Sequence, residues 1–387
     1  MRLGDCCKTN LHTYSDKEKW SLIRYLDTGS ITEGRIDEIQ TLYPGVDKIP
    51  SRARRKASVG DILFSTVRPN QKHYGIIEAG TENLLVSTGF TVVTVDTTIA
   101  DPYFIYYYLT QSSVIESLQA IAEQSTSTYP SIKPSDIEDI ELDLPELETQ
   151  KKIGSTLRML DRKIALNEEI NDNLYAQAKA IFDNHFINID AIPAGWRKGN
   201  LLDIANYLNG LAMQKFRPQG HEIGLPVLKI KELRQGSCDD SSELCSLSIK
   251  PEYIIHNGDV VFSWSGSLLV DIWCGGTCGL NQHLFKVTSD VYDKWFYYLW
   301  TAHHLARFIA IAADKATTMG HIKREELAKA EVLIPCEEDY TSFNSIMQPI
   351  FELIISNRIE SRKLAALRDE LLPKLMTGEI DVSDVQL

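Results

Sequence analysis

The sequence predicts an α+β protein of two similar halves, each a small domain of mixed helices and strands followed by a long helix with coiled-coil spacing. Three observations carry this prediction. The chain repeats itself at a nearly fixed offset, each copy holds a Gly-Asp pair ahead of an apolar run, and each copy closes with a long helical pattern almost free of glycine.

The repeat is clearest in two hydroxyl-rich passages, "TSTYPSIKPSD" at 126–136 and "ATTMGHIKREE" at 316–326. When the passages are aligned without a gap, the Ile-Lys pair of the first falls on the Ile-Lys pair of the second, so that Ile132 matches Ile322. A passage that recurs in register so far along the chain indicates two diverged copies of one unit.

The repeat continues on both sides of these passages. Downstream, "LDLP" (142–145) falls on "VLIP" (332–335) at the same offset that joins Ile132 to Ile322. Upstream the offset is larger by eight, and "VGDILFSTVRP" (59–69) matches "NGDVVFSWSGS" (257–267). A difference in length between the copies, located at about 70 to 104 in the first copy, accounts for the two offsets.

Each copy has the same predicted order of elements. In "GDILFS" and "GDVVFS" the Gly-Asp pair is typical of a turn that enters a strand. In the first copy, "DPYFIYYYLTQSSVIESLQAIAEQ" (101–124) predicts one helix with an Asp-Pro start. We therefore divide the chain into a first domain (1–146), a first long helix (147–190), a second domain (191–336) and a second long helix with its tail (337–387).

Both long helices show apolar residues at alternating spacings of three and four, which is the seam of a coiled coil. The first seam is Leu157, Leu160, Ile164, Asn167, Asn171, Leu174, Ala178 and Ile181. The second, at the same offset that joins Ile132 to Ile322, is Met347, Ile350, Ile354, Asn357, Ser361, Leu364, Arg368 and Leu371. An asparagine at a seam position lowers stability but fixes register and partner. The alternative is two amphipathic helices that each pack on their own domain.

Two prolines are expected to affect where the second long helix begins, bends or ends. Pro349 is expected to kink the helix near its first turns or to mark its true beginning, because proline lacks the backbone N–H. "LLPKLMTGEI" (371–380) predicts that the helix closes at Pro373.

Composition bounds the class of protein. The 387 residues suit two or three domains, and 43% hydrophobic with 24% charged residues is ordinary for a soluble globular protein. No apolar run reaches the length of a membrane span, and seven cysteines without framework spacing predict reduced thiols in a cytoplasm. The net charge of −13 alone argues against nucleic acid, but residues 1–75 carry 13 basic against 9 acidic side chains and so leave room for a basic face.

The order, doubling and spacing of these features resemble the specificity subunits of type I restriction–modification systems. The residues that carry the resemblance are "GDILFS", "GDVVFS", "GLNQHLFKV" (279–287), "ATTMGHIK" and the closing "LLPKLMTGEI". The resemblance implies that each mixed domain is a target recognition domain for one half of a split DNA sequence. It also implies a pseudo-twofold molecule in which the long helices pack antiparallel as a spacer, and a chain that performs no chemistry itself.

The same resemblance implies the partners. These are double-stranded DNA, two methyltransferase subunits and two restriction subunits, with no membrane. S-adenosylmethionine, ATP and Mg²⁺ would be bound by the partner subunits and no cofactor by this chain. A helix of about 40 residues is roughly 60 Å long, which is enough to hold two readers over half-sites about 34 Å apart. The helix length would then set the gap between the half-sites.

Candidate DNA-binding residues combine cations, amides, hydroxyls and aromatic rings, which suit phosphates and base edges. In the first domain they are Arg52, Arg54, Arg55 and Lys56 in "SRARRKAS", Arg68, Asn70, Lys72, His73 and Tyr74 in "STVRPNQKHYG", and Thr126, Ser127, Thr128, Tyr129 and Lys133 in "STSTYPSIK". In the second domain they are Lys229, Lys231 and Arg234 in "LKIKELRQG", Trp264 and Ser265 in "SWSGS", and Thr317, Thr318, His321, Lys323 and Arg324 in "TTMGHIKR". The alternatives are a solvated basic loop at 51–58 and a core position for Trp264.

The sequence offers little support for an enzymatic function of this chain. "DPYF" (101–104) lacks the second proline of an amino-methyltransferase tetrapeptide and has no glycine-rich cofactor loop upstream, so a helix start is favoured. No phosphate-binding loop motif is present, and Cys274 and Cys278 have no second ligand pair at zinc spacing. His303 and His304 fall on a predicted amphipathic helix and are expected to be structural.

Two other functions stay open at this stage. One is a coiled-coil interaction protein whose mixed domains bind protein or peptide, without DNA specificity. The other is the specificity subunit of a related restriction–modification system with fewer subunits. The acidic net charge mildly favours the first, although a subunit that binds DNA within a complex need not be basic overall.

Overall fold

A computed structural model describes residues 1–125, 129–314, 321–383 and 385, which form two compact units. The first unit comprises Met1–Arg162 and Ala365–Leu387, and the second comprises Lys163–Leu364. Each long helix therefore contributes residues to both units. None of the helices in the described part of the chain is long and apolar enough to cross a membrane.

The described residues of the first unit form ten strands and three short α-helices ahead of the first long helix. Strands β1 to β10 are Cys7–Thr9, Ile23–Leu26, Ile31–Thr32, Arg35–Ile36, Gln40–Leu42, Ala53–Lys56, Ile62–Ser65, Tyr74–Ile76, Leu84–Ser87 and Phe90–Val95. Helices α1 to α4 are Pro102–Leu109, Ser112–Glu123, Pro134–Glu138 and Leu147–Phe182.

Two four-stranded sheets and a hairpin organise these strands. One sheet has the order β1-β10-β7-β8 and is antiparallel throughout. The other has the order β5-β2-β9-β6, in which β2 and β9 are parallel. Strands β3 and β4 form the hairpin. Apolar side chains of the first sheet and of α1 and α2 share one core, which includes Phe64, Phe104 and Leu118.

The second unit repeats this organisation. Strands β11 to β20 are Arg197–Asn200, Asn206–Asn209, Leu225–Leu228, Leu244–Cys245, Ile254–Ile255, Val260–Ser263, Leu269–Ile272, Cys278–Leu280, Leu284–Thr288 and Glu331–Ile334. Helices α5 to α9 are Leu201–Ile204, Ile230–Gln235, Lys294–Asp314, Arg324–Ala328 and Glu337–Met376.

The sheets of the two units correspond strand by strand. The order β12-β19-β16-β17 matches β1-β10-β7-β8, and β14-β13-β18-β15 matches β5-β2-β9-β6, again with a parallel central pair. The register matches as well, because Val93 pairs with Ile62 where Val287 pairs with Val260. The predicted repeat is therefore present in the backbone as well as in the sequence.

The Gly-Asp turns enter strands as predicted, and the structure shows why. Gly60 and Gly258 have φ values of +89° and +87°, which side chains with a Cβ rarely adopt. The following aspartate closes each turn, since Asp61 Oδ2 accepts from the backbone N–H of Ser58 and Asp259 Oδ2 from that of His256, both at 2.8 Å.

The segment 101–124 is two helices rather than the one predicted. Asp101 begins α1 by accepting the backbone N–H of Phe104 at 2.9 Å, and the helix ends at Leu109. Gln111 then has an extended ψ of 140°, and α2 begins at Ser112. The equivalent region of the second unit is a single helix, α7.

The start of α4 is fixed against this same aspartate. Gln150, which is buried, accepts the N–H of Asp101 at 2.9 Å and donates to the carbonyl oxygen of Pro145 at 2.8 Å. A Cβ at Gly154 would lie 2.6 Å from Asp101 Oδ1. The one glycine of the helical pattern therefore lies where the long helix packs closely against the start of α1.

The second long helix neither begins at Pro349 nor closes at Pro373, which corrects these two expectations. Helix α9 begins at Glu337, runs through Pro349 and ends at Met376, three residues beyond Pro373. Pro349 and Ser345 are both exposed, so water can bind the carbonyl that the missing N–H leaves unpaired. The helix stops instead ahead of Gly378, whose φ of +73° is a left-handed termination.

The predicted seam is the covered face of both long helices. All sixteen seam residues are buried or half-buried. Several apolar residues off the seam are exposed, namely Met159 at 55%, Leu166 at 50% and Leu353 at 46%, although Ile153, Phe182, Phe351 and Leu375 are buried against their own units. The three-four spacing therefore identifies the packed side of each helix correctly.

A polar layer lies within this seam in the second unit. Asn167 Nδ2 donates to Ser361 Oγ at 3.2 Å, and Asn357 Nδ2 donates to Asn171 Oδ1 at 3.0 Å. The residue numbers rise on one helix as they fall on the other, so α4 and α9 are antiparallel where they meet here. The two hydrogen bonds are equivalent under the sequence repeat. Asn167 corresponds to Asn357 and Asn171 to Ser361, so the repeat turns the Asn167–Ser361 contact into the Asn357–Asn171 contact.

Candidate nucleic-acid interface

Two of the predicted passages meet in the first unit. The loop after β7 pairs with the loop before α3 through a bridge between Val67 and Ser131. The backbone N–H of Ile132 donates to the carbonyl oxygen of Thr66 at 2.9 Å, and the side chain of Ile132 is only 5% exposed. Next to this anchor, Lys133 is exposed and precedes α3.

The second unit builds the same junction in the same register. Ser265 and His321 form the bridge, and the N–H of Ile322 donates to the carbonyl oxygen of Trp264 at 3.1 Å. Ile322 is 3% exposed, and Lys323 is exposed ahead of α8. The passage occurs twice because each unit uses a buried isoleucine to fix the same loop beside the strand that follows a Gly-Asp turn.

A third loop completes the surface in each unit. Thr66 Oγ1 and the N–H of Thr66 both donate to the carbonyl oxygen of Gly89, at 2.9 and 2.8 Å. In the second unit the N–H of Trp264 donates to the carbonyl oxygen of His283 at 3.4 Å. We call the described parts of these three loops the recognition face of each unit: 66–71, 87–89 and 129–133 in the first, and 264–268, 281–283 and 321–323 in the second.

The first recognition face presents cations and an amide. Arg68 is exposed at a φ of +49°, and its guanidinium carbon lies 5.2 Å from the centroid of the Tyr129 ring. Asn70 is exposed, and its backbone N–H donates to Gln119 Oε1 at 3.3 Å. Together with Lys133, these groups can contact phosphates and base edges.

The second recognition face is built around Trp264, which is half-buried and packs against the edge of the apolar core, so that the alternative of a core position holds in part. Its Nε1 donates to Oδ1 of the exposed Asn209 at 2.9 Å. The ring centroids of His321 and His283 lie 6.1 and 6.2 Å from that of Trp264. Ser265 is only 5% exposed and cannot itself contact DNA, which corrects its prediction as a contact residue.

Three predicted contacts, Lys72, His73 and Tyr74, hold the fold of the first unit. Tyr74 is 6% exposed and stacks on Phe64 with ring centroids 5.8 Å apart, so the prediction that it reads bases is wrong. His73 Nδ1 lies 2.7 Å from the carbonyl oxygen of Ile31, and Lys72 pairs with Glu33. Both side chains fasten the β3–β4 hairpin to β8.

The centre of the basic segment 51–58 is strand β6, Ala53–Lys56, rather than a loop. Arg55 is half-buried in β6 with Nη1 unpaired among the described residues, and burial lowers the pKa of its guanidinium. Lys56 forms an ion pair with Glu18, and its ammonium group lies over the Trp20 ring.

The other two cations of the segment differ in exposure. Arg54 is half-buried, whereas Arg52 is exposed, and the carbonyl oxygen of Arg52 accepts the N–H of Thr88 on the recognition face.

The predicted counterpart of this segment, 228–236, lies elsewhere in the topology. It contains the end of β13 and the helix α6, which correspond to β2 and the turn after it, whereas β6 corresponds to β15. Lys229 pairs with Glu243 at 2.6 Å and Lys231 with Asp239 at 3.5 Å. Arg234 is exposed in the last turn of α6.

Six further predicted residues have simpler outcomes. Arg324 is exposed as the first residue of α8. Five predicted residues lie outside the described part of the chain: Thr126, Ser127, Thr128, Thr317 and Thr318.

The residues of the rejected enzymatic readings have structural roles. Asp101 of "DPYF" caps α1, and burial raises the pKa of its carboxyl group. His304 is 9% exposed, and its Nε2 lies 2.8 Å from the carbonyl oxygen of Glu331. Within the described residues no group of three or more His, Cys, Asp or Glu side chains could hold a metal ion.

Sequence reasoning missed four residues near the recognition faces: Thr88, Asn209, Gln282 and His283. Thr88, Gln282 and His283 could be matched only through the strand pairing, which aligns "VSTGF" (86–90) with "LNQHL" (280–284) at a third offset, intermediate between the two already found. The sequence alone gives no sign of this alignment, because the two passages have no identical residue in register.

The comparisons with known proteins agree with this geometry. Residues 48–176 match the family model described as type I restriction modification DNA specificity domain. The type I restriction enzyme HindI specificity subunit of Haemophilus influenzae is 21% identical, with 98% of each chain covered. Over residues 48–176 the chain is therefore similar to type I restriction–modification DNA specificity domains, and over nearly its whole length it is similar to a specificity subunit. A second relative, the type I restriction enzyme MjaIX specificity subunit of Methanocaldococcus jannaschii, is 26% identical, with 84% of this chain and 79% of that protein covered.

A solved structure shows the same fold. The type I restriction–modification system S subunit from M. genitalium superposes with a TM-score of 0.56 at 15% identity, over 97% of this chain and 95% of that one. The family-model match ends within α4, and the second unit is covered by the similarity to the HindI specificity subunit, which spans 98% of each chain.

Proposed function

We propose that this chain is the DNA-recognition subunit of a type I restriction–modification complex and that it reads a bipartite target, one half with each recognition face. The observation that carries the proposal is the repeated junction of loops. Two units with one backbone register present different side chains at the same places, as two readers of two different half-sites require.

The long helices act in this proposal as an antiparallel coiled-coil spacer. Support comes from the sixteen covered seam positions and from the polar layer of Asn167, Asn171 and Asn357. A polar layer in an apolar seam penalises every register in which its members lose their partners. The spacer would thereby keep one fixed gap between the half-sites.

Catalysis belongs to other subunits in this proposal. Methyltransferase and restriction subunits, two of each, would bind S-adenosylmethionine, ATP and Mg²⁺, while this chain supplies specificity alone. A net charge of −13 suits such a role, because cations on the partner subunits add to the basic side chains of the recognition faces when DNA is bound. A coiled-coil scaffold without DNA specificity is the alternative, and it predicts no dependence of methylation on the recognition faces.

The test is a map of methylated bases. The full chain is expressed with its methyltransferase subunit in a host free of DNA methylation, and modified bases are located by single-molecule sequencing. We expect a split motif of two short defined halves around a fixed gap. A continuous motif, or no methylation from an associated complex, would contradict the proposal.

A further inference from the structure

Four positions of the two recognition faces correspond through the backbone contacts described above. In the first unit they hold Thr66, Thr88, Gly89 and Ser131. In the second unit they hold Trp264, Gln282, His283 and His321. One scaffold therefore carries small or hydroxyl side chains in one unit and large aromatic, amide or imidazole groups in the other. A difference concentrated at equivalent places is what two half-sites of different sequence would require.

A chain of hydrogen bonds orients two of these large side chains. Gln282 Nε2 lies 3.2 Å from His283 Nε2, and His283 Nδ1 lies 2.9 Å from Ser265 Oγ. An amide nitrogen can only donate, so His283 Nε2 accepts, and Nδ1 of the neutral ring carries the proton that it donates to Ser265. Ser265 is itself fixed, because it is 5% exposed and its backbone is bridged to His321.

This network uses only one of the hydrogen-bonding groups of the Gln282 amide. Gln282 is half-buried, and among the described residues its second amide N–H and its Oε1 have no hydrogen-bond partner. One donor and one acceptor on a planar amide match N7 and N6 of adenine in the major groove. The Trp264 ring lies beside the imidazole that holds this amide, with centroids 6.2 Å apart and the ring planes tilted by 39°.

We propose that Gln282 reads an adenine of the second unit's half-site, and that His283 and Ser265 are positioning residues that hold its amide in the reading orientation. The proposal rests on the proposed function and adds a base and a residue to it. Asn281, by contrast, is 6% exposed and accepts the N–H of His283 at 3.2 Å, so it shapes the loop without reaching DNA.

The test compares methylation motifs of variants of the full chain, each assembled with the methyltransferase subunit. Gln282→Ala is expected to relax one A·T position in one half of the motif by roughly tenfold or more and to leave every other position unchanged. Gln282→Glu, which keeps the size but not the donor, is expected to lose the preference for adenine at the same position. Ser265→Ala is expected to relax that position as well, which a merely structural role would not do selectively.

Two controls separate the possible results. Gln235→Ala removes another amide of the same unit, on α6, and should leave the motif intact. Thr88 occupies the equivalent position in the first unit, and Thr88→Ala should not affect the half of the motif that Gln282 reads. An unchanged motif in assembled Gln282→Ala and Gln282→Glu complexes, or relaxation at a G·C position, would overturn the inference. A wild-type motif that is not split would instead overturn the proposed function.

Discussion

At the scale of single residues, exposure separates side chains that can contact DNA from those that hold the fold. Arg68 and Lys133 are exposed on the first recognition face, whereas Tyr74 and Ser265 are buried beneath or beside the equivalent loops. Lys56, Lys72 and Lys229 are paired with carboxylates of their own unit, so a contact with phosphate would have to replace an existing ion pair.

The exposed cations allow a prediction about salt. Replacing Arg68 and Lys133 by alanine should weaken DNA binding of the assembled complex and reduce the slope of log affinity against log salt by about two, because each phosphate contact releases roughly one counterion. The measurement is DNA affinity across a series of salt concentrations.

The matched control replaces Lys8 and Lys151, which are exposed in the same unit outside the recognition face. Their loss should leave the slope unchanged. An equal decrease in both double variants would mean that the effect is one of net charge and that the face is not the DNA contact.

His304 allows a prediction about pH. Burial lowers the pKa of its imidazole, so the folded unit binds this proton less well than the unfolded chain does. Stability is therefore complete above the ordinary histidine pKa of about 6.5 and declines as pH falls through and below that value. His304→Gln, which cannot titrate, should make the free energy of unfolding less sensitive to pH between about 7 and 5.

Thermal unfolding at several pH values measures this effect, with the exposed His221→Gln as control. If the His304 variant loses stability on acidification as steeply as the wild type, the buried imidazole is not a source of the pH dependence.

At the scale of elements, the helix seam is the feature that the sequence specifies best. Sixteen positions chosen by spacing alone are all buried or half-buried, while leucines one or two positions away are exposed. The polar layer in that seam satisfies each member with a partner on the other helix, except that Asn167 Oδ1 is buried without one in the described structure. Such a layer trades stability for a defined register.

The seam gives a prediction with an internal control. Ile164→Asp with Ile354→Asp places one charge at a half-buried and one at a buried seam position, and should lower the free energy of unfolding by about 4 kcal/mol or more, with loss of complex assembly. Leu166→Asp with Leu353→Asp adds the same charges at 50% and 46% exposed sites and should leave the fold intact. Thermal unfolding and size-exclusion chromatography report the two outcomes, and equal behaviour of the two variants would mean that the seam is not a core.

The elements that could be predicted from the sequence are those whose conformation is determined by residues close to them in the chain. The Gly-Asp turns and the seam follow from neighbouring residues, through a left-handed glycine and a three-four spacing. The break at Gln111 and the passage of α9 through Pro349 depend on exposure and packing, which the sequence does not display. The residues of "NQH" (281–283) were missed for a similar reason, because only strand pairing shows that they lie beside Trp264 and Ser265.

At the scale of the whole molecule, duplication explains most of the sequence. Two units share strand order, turn chemistry and loop junctions, and they differ where their recognition faces carry side chains. One ancestral reader, doubled and diversified, would give a chain whose target has two independent halves. Duplication therefore predicts modularity, in which each unit determines one half of the target and has no effect on the other half.

The most direct test of that claim replaces one recognition domain. Residues 1–146 are exchanged for the corresponding domain of another specificity subunit, α4 and the second unit are kept, and the methylation motif is mapped with the same methyltransferase subunit. We expect one half of the motif to change to the half that the donor specificity subunit recognises, while the other half and the gap stay as in the wild type. A change in both halves, or an unchanged motif from an assembled complex, would contradict it.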